Sequence, residues 1–199
     1  MSGLISRSSF GVAPFRTSRG VALMEVAIAI LVISIGAIGL AGMQLSAKRA
    51  GFEAVQRTNA SSLAMDILER MRVNPGEIAS YDTSDLDDKG VGGALVETPA
   101  SKCDSASCTG AQLADLDLWD WEQALDGAAE VRAGASVGGL LNPKGCIVVN
   151  GREVSVTIAW QGYETLSDPD SVNDCGEGKY GTDDEQRHLL VINTFIADL

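Results

Sequence analysis

Residues 19–47 read RGVALMEVAIAILVISIGAIGLAGMQLSA, an apolar run in which Glu25 is the only charge after Arg19. The 22 residues from Val26 to Ala47 carry no charge, and about 20 apolar residues in a helix span the hydrocarbon core of a bilayer. A cleaved secretory signal would have an apolar region of roughly 7–15 residues that ends at a small-x-small site. Because this run is longer and no clear site of that kind follows it, we expect a membrane-anchoring helix.

Charge is divided unevenly about this run. The formal net charge is −12, yet residues 1–20 carry three arginines and no acid, and the rest of the chain has 12 basic and 27 acidic side chains. Positive residues stay on the cytoplasmic side of a membrane helix. We therefore expect the basic start to stay on the cytoplasmic side and the segment after the apolar run to cross the membrane, and the acidic balance argues against a nucleic-acid partner.

Glu25 is the unusual residue of the anchor. A carboxylate in or near hydrocarbon costs about 2–3 kcal/mol or more, so an acid at this place is a functional hypothesis by default. Its position near the edge of the run is equally compatible with an acid that simply lies in the headgroup layer.

Beyond the apolar run, apolar residues recur mostly three or four positions apart, the pattern of an amphipathic helix. These residues are Phe52, Val55, Ala60, Leu63, Ala64, Ile67, Leu68 and Met71. No proline interrupts the pattern before Asn74-Pro75-Gly76, where proline disfavours helical geometry in the residue that precedes it. We expect one helix from about residue 22 to 73, with Asp66 and Arg70 paired across one turn.

The remainder of the chain predicts a small α+β head. Residues 111–130 have the pattern of a shorter amphipathic helix, whereas residues 77–110 and 162–186 look irregular. Strands are expected at Cys146–Val149, Glu153–Trp160 and Leu189–Ile196, with a turn at Asn150-Gly151 between the first two. The fold class is therefore α+β: a long helix packed on a small antiparallel sheet with one further short helix.

The four cysteines, Cys103, Cys108, Cys146 and Cys175, all follow the apolar run. An even number of cysteines in an exported segment predicts two disulfides. Three connectivities are possible, and we expect Cys103–Cys108 as a local clip and Cys146–Cys175 as a tie between the first strand and the last loop. A zinc site would need two more ligands beside the first pair, and the distant cysteines lack that spacing.

No catalytic constellation is visible, and we expect no enzyme, cofactor or metal. His188 is the only histidine, and it is interpreted as a strand residue. The three tryptophans, Trp119, Trp121 and Trp160, are interpreted as core residues. Two acidic clusters lack the EF-hand spacing and are expected to be solvated loops. They comprise Asp168, Asp170, Asn173 and Asp174, and Asp183, Asp184 and Glu185.

The stretch from Arg19 to Val26 resembles the processing site of type IV prepilins, in which a glycine precedes four apolar or small residues, a glutamate and a long apolar helix. In that family a membrane peptidase cuts after the glycine and N-methylates the new terminus. The resemblance implies Gly20 as the last leader residue, Val21 as the methylated terminus, and Glu25 as the partner of a neighbouring subunit's terminal ammonium. Two departures are the valine at the new terminus and the length of the leader.

The resemblance also implies a division of the chain. Residues 1–20 would be a cleaved basic leader, residues 21–47 the transmembrane and assembly half of the helix, and residues 48–199 the periplasmic head. The processed protein would then leave the inner membrane for the pilus at the cell surface.

Within the family, the chain is most similar to PilV-type minor pilins, which modify type IV pili. The similarity lies in Met43-Gln44, Leu68–Pro75, Asp117–Trp121, Ala159-Trp160 and Arg187–Ile196. It implies a structural subunit that primes pilus assembly near the tip. The implied partners are the prepilin peptidase, other minor pilins, the major pilin and a tip adhesin.

Three alternatives stay open. A minor pseudopilin of a type II secretion system shares the processing motif and scaffold. A membrane-tethered periplasmic enzyme would need a site that the sequence does not display. A transmembrane binding module would not explain Gly20 and Glu25 together.

Overall fold

The computed structural model describes residues 19–86, 90–104, 107–136, 138–166 and 174–197, with side chains from residue 23 onward except at residue 135. The expected leader therefore lies almost wholly outside the described residues. The chain divides into two compact units, Met1–Ala47 and Lys48–Leu199, and we call the second unit the head.

Helix α1 runs from Arg19 to Val73 and so begins slightly before the expected start. In the first unit, every described side chain from Leu23 to Ala47 is exposed. Within the described part of the chain, this is the one helix that is long and apolar enough to cross a membrane, judged by length and composition. The hydroxyl of Ser34 donates to the Ile30 carbonyl at 2.7 Å, which satisfies a polar group inside an apolar stretch.

A 3₁₀-helix, Pro75–Tyr81, follows α1 directly, although residues 77–110 were expected to be irregular. Proline at its first position explains why α1 stops and a new element starts. Ile78 and Tyr81 are both buried, and residues three apart lie on the same side of a 3₁₀-helix. The seven residues of this helix are too few for a three-residue period to be recognised in the sequence.

Helix α2 spans Gly110–Leu125, so the expectation of a helix to residue 130 was wrong at its end. The start is a capping box, in which Thr109 and Gln112 exchange side chain to backbone hydrogen bonds. After Leu125 the chain turns at Gly127, whose φ is +67°. Beyond that turn lies a hairpin of two very short strands, β1 (Val131–Arg132) and β2 (Ala135–Ser136), which is too short to show an alternating pattern.

The main sheet is antiparallel and has the order β3-β4-β5. Its strands are β3 (Lys144–Asn150), β4 (Glu153–Gln161) and β5 (Arg187–Phe195). The three expected strands are confirmed, with ends that differ by one or two residues. Asn150 pairs with Glu153, so the turn consists of Gly151 and Arg152, with Gly151 at φ +61°.

The core of the head lies where α1, α2 and the sheet meet. Its buried members are Ala60, Ala64, Ile67, Leu68 and Met71 of α1, Trp121 and Leu125 of α2, and Ile147, Val154, Val156 and Ile158 of the sheet. The expected stripe on α1 is thus confirmed over its second part, while Val55 is 56 % exposed. Each large apolar side chain buried here stabilises the fold by about 1.5–3 kcal/mol, and the predicted α+β class is confirmed.

Candidate functional site

The first candidate site is the exposed part of α1. Glu25 and its apolar neighbours Leu23, Met24 and Val26 are all exposed. A helix that displays apolar side chains on every face is stable in lipid or against other apolar helices. Within such surroundings a single carboxylate selects a partner that carries a positive charge. Gly20 and Val21 lie in the first turn of α1.

The head contains a polar cluster where α1, the 3₁₀-helix and α2 approach one another. Arg70 donates to Asp117 at 3.0 Å and to the neighbouring Asp66 at 3.1 Å, and contacts Asp120 at 3.4 Å. The expected pair of Asp66 and Arg70 is therefore present, but it is one part of a larger group. Burial is the largest single influence and works against the charged guanidinium, but the hydrogen bonds and opposite charges of Asp117 and Asp66 together outweigh it and raise the pKa of Arg70.

Tyr81 completes this cluster from the 3₁₀-helix. Its hydroxyl donates to Asp117 at 2.6 Å and accepts from the Asn74 amide at 3.3 Å, and the same amide donates to the Gly110 carbonyl at 2.7 Å. Burial, together with the hydrogen bond to Asp117, raises the pKa of Tyr81. These bonds join the end of α1 to the start of α2, so the cluster positions helices rather than reacting groups.

A second set of buried polar contacts holds the segment that precedes α2. The wholly buried Glu122 accepts backbone N–H groups from Gly92, Leu95 and Val96 at 3.0, 2.7 and 2.9 Å. One turn later, Asp126 accepts the N–H of Gly93 at 2.9 Å. A carboxylate that accepts several backbone N–H groups can be buried without a positively charged side chain beside it.

Sequence reasoning did not find Glu122. A signal was present: Leu118 and Leu125 lie four residues before and three residues after it, which places Glu122 on the apolar face of α2. Its partners are backbone groups, however, and no residue type in the sequence marks them.

The cysteines form two disulfides, Cys103–Cys108 and Cys146–Cys175, with Cα atoms 5.5 and 5.9 Å apart. This is the pairing expected above. The second bond joins β3 to the loop before β5, where Cys175 is buried beside Tyr180 and Ala159. Both bonds brace the head and leave no free thiol among its four cysteines.

The acidic loop before β5 is only partly solvated. Asp183 is exposed as expected, but Asp184 is buried and accepts the N–H groups of Gly178 and Tyr180 at 2.6 and 3.0 Å. The expectation of a solvated residue was therefore wrong for Asp184, which organises the loop as an acceptor. Asp168, Asp170 and Asn173 lie outside the described residues, and the described part of the chain holds no metal-binding group of three or more His, Cys, Asp or Glu side chains.

His188 lies near the start of β5, as expected, and its side chain faces the head's largest described cavity. The cavity measures about 620 Å³ and is lined by Glu53, Arg57, Trp160 and His188, among others. Trp160 and Trp121 are buried core residues, as expected, whereas Trp119 is half-buried.

Comparison with known families gives one finding. Residues 42–119 match a family model described as Tt1218-like, type IV pilin Tt1218. Over these residues the chain is similar to type IV pilins. The match runs from the end of the apolar segment of α1 through the 3₁₀-helix and into α2, so it contains the polar cluster around Arg70 except for Asp120, which lies one residue beyond it. No curated protein and no solved structure matches the chain significantly.

The pilin-like match agrees with the long apolar helix and the three-stranded antiparallel sheet, which together are consistent with a type IV pilin fold. Pilins are structural proteins, and the contacts described above also join elements of the head to one another. The match begins after residue 41, so it does not reach Gly20 or Glu25.

Proposed function

We propose that the chain is a minor subunit of a type IV pilus that helps to prime or modify filament assembly near the tip. The pilin-family match over residues 42–119 carries this proposal. The exposed apolar segment of α1, which has a single carboxylate at Glu25, supports it. The narrower assignment to a minor, PilV-type pilin rests on the sequence resemblance.

In this proposal residues 1–20 are a leader, residues 21–47 anchor the protein in the inner membrane, and residues 48–199 form a periplasmic head. The prepilin peptidase hydrolyses the bond between Gly20 and Val21 and methylates the new amino group. The mature protein then assembles with other minor pilins, with the major pilin and with a tip adhesin.

Glu25 would give the assembly its register. Apolar contacts provide little direction when a helix leaves lipid for a bundle, because lipid is as apolar as the bundle. A carboxylate is stabilised only where a partner's terminal ammonium lies beside it. Because desolvation largely offsets the attraction, the pair acts more on specificity than on net stability.

The proposal is tested by substituting Glu25→Ala and Ser34→Ala in separate strains. Ser34 is a matched control, since its hydroxyl is already satisfied by the Ile30 carbonyl. We expect Glu25→Ala to leave leader cleavage and membrane insertion intact while the protein is lost from sheared pili, measured by immunodetection beside its level in the inner membrane. The Ser34→Ala protein should be recovered normally.

Normal recovery of the Glu25→Ala protein would mean that Glu25 is an ordinary interfacial acid. A subunit at the very tip has no subunit ahead of it, so the number of pili per cell is counted in the same strains. Unchanged recovery with unchanged pilus number contradicts the assembly role.

Mass spectrometry of the mature protein checks the leader, and an intact Met1 terminus would contradict processing after Gly20. If the wild-type protein is absent from sheared pili and a strain that lacks it is defective in protein secretion, the alternative function as a pseudopilin of a type II secretion system is favoured.

A further inference from the structure

The environment of His188 is unusual because acceptor oxygens flank both ring nitrogens. Nε2 lies 3.2 Å from the backbone carbonyl oxygen of Glu164, and Nδ1 lies 3.5 Å from Oε2 of Glu53. The side chains of His188 and Glu53 are each only 16 % exposed. The two side chains are therefore mostly shielded from solvent, although both line the cavity described above.

The chemistry of these oxygens restricts the protonation of the ring. A carbonyl oxygen can only accept, so the contact with Glu164 is a hydrogen bond only when Nε2 carries a proton. A neutral imidazole has one N–H, and Nδ1 would then turn a lone pair toward the Glu53 carboxylate. Only the doubly protonated imidazolium presents a donor to both oxygens.

Two further features of the site favour a positive charge on the His188 ring. Oε2 of Glu53 is buried and accepts no hydrogen bond from the described residues, whereas the other oxygen accepts the N–H of Tyr163. A buried carboxylate oxygen without a partner is costly. The Trp160 ring lies 5.8 Å from the imidazole ring, within the distance at which an aromatic ring attracts a cation.

We propose that His188 and Glu53 form a proton-dependent clasp in the head between helix α1 and the place where β4 ends and β5 begins. When His188 is protonated, the clasp closes through the ion pair with Glu53 and the hydrogen bond to Glu164. When His188 loses the proton from Nδ1, the Glu53 oxygen is left without a donor and the clasp weakens. Because closing the clasp requires a proton on Nδ1, the clasp responds to pH.

Among the described residues, four other charged or acidic side chains, from three elements, surround the ring. Helix α1 contributes Glu53 and Arg57, the segment after β4 contributes Glu164, and β5 contributes Arg187, all of which line the same cavity. Arg187 is buried and donates to the Cys175 carbonyl at 3.1 Å, so it is engaged away from the imidazole. The cavity gives protons a path to His188 without unfolding of the head.

The clasp fixes one specific segment. Phe52, the neighbour of Glu53, contacts the Tyr163 ring edge-on with ring centroids 4.9 Å apart. The Glu53 carboxylate accepts a hydrogen bond from the backbone N–H of Tyr163. Residues 162–164, which leave β4, are thus attached to α1 through neighbouring side chains. Deprotonation of His188 should loosen this attachment first, while the core around Ile67 and Met71, further along α1, stays packed.

The first test uses the full chain in detergent micelles with ¹⁵N-labelled histidine. His188 is the only histidine, so the two ring nitrogens give unambiguous signals over a pH titration. We expect both nitrogens to be protonated in the clasped form, and we expect Glu53→Gln to weaken proton binding by the ring about threefold to tenfold. The glutamine retains an oxygen that can accept the Tyr163 N–H, so folding should survive the change.

Glu164→Gln is the matched control, because the ring contacts the carbonyl of that residue and not its carboxylate. It should change proton binding less than about twofold, since exposed charges are screened. Equal affinity of the His188 ring for a proton in the wild type and in Glu53→Gln would overturn the proposal. It would also be overturned if, at one pH, Nδ1 of the folded wild type carried no proton while the ring of the Glu53→Gln variant was doubly protonated.

A second measurement compares the wild type, Glu53→Gln, His188→Gln and the double variant by urea unfolding at two pH values on either side of the histidine titration. The coupling between the two positions should change the folding equilibrium about threefold to fivefold at the lower pH and vanish at the higher one. A coupling of the same size at both values would show a contact that does not depend on the proton, and would contradict the clasp.

Discussion

The carboxylate of Glu122 accepts the backbone N–H of Leu95 at 2.7 Å, although the Glu122 residue is wholly buried. The same side chain also accepts from Gly92 and Val96. A charged side chain thus closes the irregular segment onto α2, and the segment has no regular secondary structure that could satisfy these donors instead. Glu122 is therefore the main acceptor for residues 92–96, with Asp126 accepting the N–H groups of Gly93 and Ala94.

Glu122→Gln should lower the free energy of unfolding of the head by about 2–3 kcal/mol, because an amide NH₂ replaces an acceptor and leaves a buried donor unsatisfied. Urea unfolding of the full chain in detergent, followed by tryptophan fluorescence, measures this, since all three tryptophans lie in the head. Asp115→Asn, at an exposed position of the same helix, is the control and should change stability by less than about 0.5 kcal/mol. Equal effects of the two changes would contradict the role of Glu122.

The buried tyrosines predict loss of stability at alkaline pH. Burial raises the pKa of Tyr81 and of Tyr180, and the hydrogen bond to Asp117 adds to this for Tyr81. A raised pKa means that the folded state disfavours the phenolate. The stabilisation is therefore complete below about pH 10, where free tyrosine ionises, and is lost as the pH rises further.

A Tyr163→Phe variant isolates these two groups, because the chain has three tyrosines. In this variant the ultraviolet absorbance of tyrosinate should appear only together with the loss of circular dichroism. Ionisation of both phenols near pH 10 in a protein that is still folded would show that they are not buried.

Replacing either of two glycines by alanine should change the stability of the head in opposite directions. A Cβ at Gly145 of β3 would lie 2.8 Å from a Leu125 methyl group and against the Trp121 ring, so Gly145→Ala should destabilise the head by about 1–3 kcal/mol. A Cβ at Gly51 of α1 meets nothing within 4 Å, and Gly51→Ala should raise stability by up to about 1 kcal/mol through helix propensity. The same urea titration compares them, and a neutral Gly145→Ala would contradict the packing of β3 on α2.

The two disulfides should contribute unequally. Cys146 and Cys175 are 29 residues apart, whereas Cys103 and Cys108 are five apart. In the chain-entropy treatment the longer loop gains more, about 3–4 kcal/mol against about 2 kcal/mol. Paired Cys→Ser variants of each bond, unfolded in parallel, measure the difference. A greater loss from the short clip would mean that local strain or packing, and not loop closure, sets the ranking.

Much of the fold follows from sequence patterns. The end of α1 before Pro75 and the three strands of the main sheet were predicted because periodicity and turn residues act locally. The 3₁₀-helix has only seven residues and the strands β1 and β2 have two each, so neither element is long enough for its pattern to be recognised and neither was predicted.

The polar interior was predicted least well, for a different reason. Asp184 looked like one member of an acidic surface run, and its burial depends on N–H groups that only the folded loop brings to it. His188 was correctly assigned to a strand, but its neighbour Glu53 lies far away in sequence. Contacts of this kind depend on tertiary structure, which residue spacing does not encode.

The buried stripe on α1 also has a consequence for biosynthesis. The helix leaves the ribosome before the sheet, yet Ile67 and Met71 share their core with Ile196, which follows β5 and is made after the other buried members of that core. The stripe therefore stays partly uncovered until β5 has been synthesised, and exposed apolar surface invites aggregation in this interval. In the proposed membrane-anchored pilin, tethering the nascent chain at α1 would keep its copies apart during this interval, so the anchor would protect folding before it serves any later purpose.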